Sequence, residues 1–81
     1  MIREGLSDLA AGRRSPAALV VAIGAPRLRR AGIEVPPHEF GRPEVVLYEL
    51  LARSHAESAH SRYNALIRRL VSFERALECE G

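Results

Sequence analysis

The sequence contains no lysine, glutamine, threonine or tryptophan, a single cysteine, and only two tyrosines and two phenylalanines. Each shortage removes a class of explanation. One thiol cannot form a disulfide within the chain, so stability must come from packing. The longest apolar run, Pro16 to Pro26, falls far short of the ~20 residues that cross a bilayer, so no membrane partner is expected. Met1 to Gly5 does not begin a charged-then-apolar leader of signal-peptide type. With the lone cysteine, this gives a cytoplasmic expectation. No glycine-rich loop is present to cradle phosphates. The few aromatics are not interleaved with basic residues, as base stacking on single-stranded nucleic acid would require.

All 12 basic residues are arginine, and the net charge is only +2. Arginine and alanine without lysine match the codon preference of a GC-rich bacterial genome, which is the reading adopted for its origin. The charge is too small to name a partner, although residues 1–33 hold six arginines against Glu4 and Asp8. An 81-residue chain is one domain. At this size folding buries only ~60–65% of the unfolded surface, and oligomerisation is a common remedy.

Helical punctuation divides the chain. Ile2, Leu6, Leu9 and Ala10 share one helical face, with Gly12 placed to end that helix. Ser15 and Pro16 read as N-cap and first helical residue of a second helix, with Ala17 to Ile23 apolar throughout. Gly24 is expected to close it, and Pro26 to Gly32 to add one or two separate turns. A buried strand is the alternative for Val20, Val21 and Ile23, which are β-branched. Residues 1–31 are therefore expected as short N-terminal helices and residues 32–42 as a proline-containing connector pinned by Ile33, Val35 and Phe40. Residues 43–79 are expected as a helical hairpin. Val46, Leu47, Leu50 and Leu51 share a face of its first arm, where Glu49 and Arg53 form a favourable i, i+4 pair. Ser54 to Glu57 matches a capping box and would start the second arm, with one continuous bent helix as the alternative. The fold class is all-α: a small bundle of about four helices ending in a long C-terminal hairpin.

The last helix carries the strongest pattern. Ala56, Ala59, Tyr63, Leu66, Leu70, Phe73 and Leu77 recur at spacings of 3 and 4, with Ile67 and Val71 widening the seam. Arg62, Arg68, Arg69 and Arg75 lie across from it, while Glu57, Glu74 and Glu78 follow its flank. About 24 helical residues span ~36 Å, the full width of a domain this small. So broad an apolar face exceeds what the short preceding helices can cover, and a two-fold homodimer would close it. Tyr63, Leu66, Ile67, Leu70, Phe73 and Leu77 are the expected self-association residues. A second protein partner is also compatible with such a face.

Other patterns are weaker. Ser15 to Gly32 invites comparison with a helix-turn-helix, in which Arg27, Arg29 and Arg30 would contact anions or nucleic acid. Its second helix would be too short, however, and Arg30 falls where that motif needs an apolar residue. Glu57 and His60 stand at the Glu-x-x-His spacing of bundle metal sites, with Glu49 as a further carboxylate, but one such match is common by chance. His38-Glu39 lacks the second histidine of a zinc-protease helix. Arg53 and His60 stand at a spacing like that in some helical ribonuclease toxins, without the rest of that motif. Cys79 is too near the end to be an oriented nucleophile. No enzyme, metal or cofactor is therefore expected. The expected role is a small bacterial interaction or regulatory module that self-associates through its C-terminal helices. The alternative is a nucleic-acid-binding or antitoxin-like regulator using Arg27 to Arg30.

Overall fold

A computed structural model of the chain describes residues 1–38 and 40–80. Among them are four helices and no strand: α1 (Ile2–Ala10), α2 (Pro16–Arg30), α3 (Pro43–Ser54) and α4 (Ala59–Glu80). The chain is an all-α bundle, as its periodicity predicts.

The start of α2 follows its cap. Ser15 is extended (φ −93°, ψ 160°), and its Oγ accepts from the Ala18 N–H at 3.1 Å. That satisfies one of the N–H groups that a helix start leaves without an internal partner. The end of α2 does not follow the expected punctuation. The helix continues through Gly24 and Pro26 to Arg30 and stops at Ala31, followed by Gly32 at φ 92°. An interior proline loses one backbone hydrogen bond and is normally costly, by ~3 kcal/mol. Here the apolar row is unbroken across it. Ala18, Val21, Ala25 and Leu28, spaced 3, 4 and 3, are all buried in one cluster with Leu9 of α1 and Val35 of the connector. Breaking the helix at Gly24 would pull Ala25 and Leu28 out of that cluster. Burial therefore overrides the local signals.

The opposite face of α2 packs a second cluster. Leu19 and Val20 meet Leu47 and Leu51 of α3 and Ala59 and Leu70 of α4. So α2 is the central element, with α1 on one side and the α3–α4 hairpin on the other. Val35 is buried, and Ile33 and Phe40 rest on the core, pinning the connector as expected. Glu39, within that connector, lies outside the described residues, and the His38-Glu39 pattern with it.

The hairpin turn is displaced from its expected place. Ser54 is still helical, so it cannot act as an N-cap, which needs non-helical backbone. The break falls at His55 (φ −143°, ψ 57°), and α4 starts four residues later than the capping-box reading predicts. The Arg62 N–H donates to the Ser58 carbonyl at 2.9 Å, and Arg62 Nε donates to Ser58 Oγ at 3.0 Å. The 22 residues of α4 extend ~33 Å, within the 39 Å long dimension of the molecule.

Candidate interaction surface on the α3–α4 hairpin

The α4 seam is used mostly inside the chain. Leu70, at its middle, is only 3% exposed and packs in the second cluster. Phe73 and Leu77 are half-buried against the first cluster, and Leu66 and Tyr63 against the second. Of the six expected self-association residues, five are thus engaged by the chain's own core, Ile67 being the exception. Leu70 in particular is a fold residue. The reason lies in α2, whose two apolar faces cover more of α4 than its length suggests.

Ile67 belongs to neither core cluster and is partly exposed, and Val71 shares that position on the flank. Tyr63 sits at the boundary. Its ring meets that of Tyr48 edge-on, with centroids 5.7 Å apart. Tyr48 (41% exposed) and Val45 (43%) are the most exposed large apolar residues of the chain's described part. With Glu44, Glu49, His60, Tyr63 and Asn64 they line a groove of about 520 Å³ between α3 and α4. Sequence periodicity missed Val45 and Tyr48. They lie off the apolar face of α3, and only the packing of Leu47 and Leu51 inward shows that they point out.

The electrostatics of this groove are one-sided. The ion pairs among the described residues are Arg13–Asp8, Arg27–Glu74 and Arg27–Glu78. The expected Glu49–Arg53 pair is not among them. Glu44 and Glu49 therefore face solvent without a cationic partner.

Arg27 and Glu74 depart from the sequence reading. Glu74, on the flank of the seam, is buried, only 5% exposed. Its carboxylate sits 3.6 Å from the Arg27 guanidinium, which also donates to Glu78. The bond from Arg27 to Glu78, and then the fields of Glu78 and Glu74, raise the guanidinium pKa above its already high value. Arg29 donates to the Val35 carbonyl at 3.2 Å, tying the end of α2 to the connector. Arg30 is exposed and makes neither a side-chain hydrogen bond nor an ion pair among the described residues. Two of the three arginines expected to reach an anion are thus engaged within the fold. No group of three or more His, Cys, Asp or Glu side chains among the described residues is placed to hold a metal ion. Arg53 and His60 are both exposed, on either side of the hairpin turn. Cys79 is exposed. No described helix is long and apolar enough to cross a membrane.

Comparison with known proteins finds no family model, curated protein or solved structure that matches the chain.

Proposed function

We propose that this protein is a small bacterial, cytoplasmic interaction module that self-associates through its C-terminal hairpin. The observation that carries this reading is the groove between α3 and α4. Val45 and Tyr48 stand exposed beside the half-buried Tyr63, and the chain's two core clusters are complete without Val45 and Tyr48. Aromatic residues in a shallow exposed groove are the kind that anchor protein interfaces. A standard interface covers about 800 Å² per partner, roughly a seventh of the 5518 Å² of this chain's surface. Such burial would supplement a core that is small for an independent domain.

Sedimentation equilibrium at micromolar concentration tests the reading. A mass near twice 8.9 kDa is expected, and Tyr48→Asp should return it to 8.9 kDa while the helical circular dichroism persists. A wild-type mass of 8.9 kDa at all concentrations would overturn it.

A further inference from the structure

A second recess shares no lining residue with the hairpin groove. It opens between the end of α1, the α1–α2 turn and the connector, with a volume of about 470 Å³. That is room for a small ligand. Buried Leu9 and half-buried Phe40 supply apolar wall, and Arg13, Arg14 and His38 supply the charged and polar side chains. No carboxylate lines it among the described residues. The Arg14 guanidinium lies over the Phe40 ring, 5.8 Å from its centroid. It forms no side-chain hydrogen bond or ion pair among the described residues. Arg13 spends Nη1 on Asp8 at 3.2 Å and keeps its Nη2 and Nε donors. The His38 ring stacks on the same Phe40, with centroids 5.6 Å apart. Its Nδ1 accepts from the Phe40 N–H at 3.3 Å, which puts the ring proton on Nε2 and makes that atom a donor.

The recess is thus rich in donors, and one aromatic ring holds two of them in place. Donors around an apolar wall suit an anion with an apolar body. Guanidinium groups pair with oxyanions through short, charge-assisted hydrogen bonds. Three separate donor groups match the three terminal oxygens of a phosphate monoester, where a carboxylate offers only two. We propose that this recess binds a small phosphate monoester, its phosphate held by Arg13, Arg14 and His38 and its apolar body set against Leu9 and Phe40. The site does not depend on self-association through the hairpin.

Phenyl phosphate is the probe, titrated into the full chain by isothermal calorimetry at fixed ionic strength. Saturation of one site per chain is expected. Inorganic phosphate lacks the apolar body and should bind at least about tenfold more weakly. Benzoate leaves one donor group unmatched and should also be weaker by about tenfold. Arg14→Ala and His38→Ala should each weaken phenyl phosphate by about tenfold, with unchanged circular dichroism and melting to show that each variant is folded. Arg68→Ala, an exposed α4 position outside the recess, should bind as the wild type does. Failure to saturate at millimolar probe, or binding indifferent to both Arg14→Ala and His38→Ala, overturns the site. An equal loss in Arg68→Ala overturns it too, because it would reveal diffuse charge attraction. Benzoate or inorganic phosphate binding as tightly as phenyl phosphate overturns the assignment to a phosphate monoester. None of these outcomes alters the mass expected from sedimentation, so the self-association reading stands or falls separately.

Discussion

Leu70 of α4 packs directly onto Gly24 of α2: a Cβ at position 24 would lie 2.7 Å from Leu70 Cδ1 and 3.3 Å from the Glu74 carboxylate. The absence of a side chain on one helix is what lets the other approach. Ordinarily alanine is worth ~1 kcal/mol more than glycine inside a helix. Overpacking a close contact costs ~1–3 kcal/mol, and here it falls on a buried leucine and a buried carboxylate. Gly24→Ala should therefore fail to stabilise and should lower stability by up to about 2 kcal/mol, with Gly24→Val worse. Thermal denaturation measures it; a raised melting temperature for Gly24→Ala would show that α4 can move away freely.

Truncating the other side of the contact should be more damaging. Leu70→Ala leaves a cavity between α2 and α4, at a cost of about 2–5 kcal/mol, a large part of what holds a small domain folded. Leu70→Asp should unfold the protomer. Chemical denaturation reads this, and the effect should not depend on protein concentration beyond what dimer dissociation contributes.

Asp8 joins the first two helices. Ser15 Oγ donates to its carboxylate at 2.7 Å while accepting from Ala18, and Arg13 pairs with it at 3.2 Å. The bond from Ser15, then that from Arg13, holds the Asp8 pKa below its ordinary 3.8. A carboxylate whose pKa is depressed by folding adds stability that is complete above the unfolded value and is lost as pH falls through the folded one. Melting temperature should therefore drop between pH 5 and pH 2, less steeply in Asp8→Asn. Ser15→Ala should cost about 1 kcal/mol at neutral pH through loss of the cap. An unchanged melting temperature would show that the cap bond is not made in solution.

Arg27 should matter through the carboxylate it neutralises. Arg27→Ala leaves Glu74 buried without its cation, so stability should fall. Glu74→Met in the same background should restore it, because an apolar group of similar length needs no partner. A double-mutant cycle showing no coupling would mean that solvent already compensates Glu74.

The helical class, the Ser15 cap and the pinned connector were legible in the sequence because each depends on local spacing: apolar residues every three or four positions, a hydroxyl before Pro16, and isolated apolar residues between prolines. Local signals also misled in two places. Gly24 and Pro26 read as an end, and Ser54 to Glu57 as a beginning, because a breaker or a cap shows only what the backbone can do. Whether it does so depends on what stopping would expose. At Gly24 stopping would have expelled Ala25 and Leu28 from the core, so the helix ran on. The division of the α4 face was likewise a tertiary matter. Periodicity showed that Tyr63 to Leu77 form one apolar seam, but not which neighbour covers it. Two-sided packing of α2 took Leu70 and Phe73 inward, the approach at Gly24 drew Glu74 in toward Arg27, and Val45 and Tyr48 were left at the surface. Pattern alone assigns a residue to a face of its own helix; only the assembled bundle determines which faces meet.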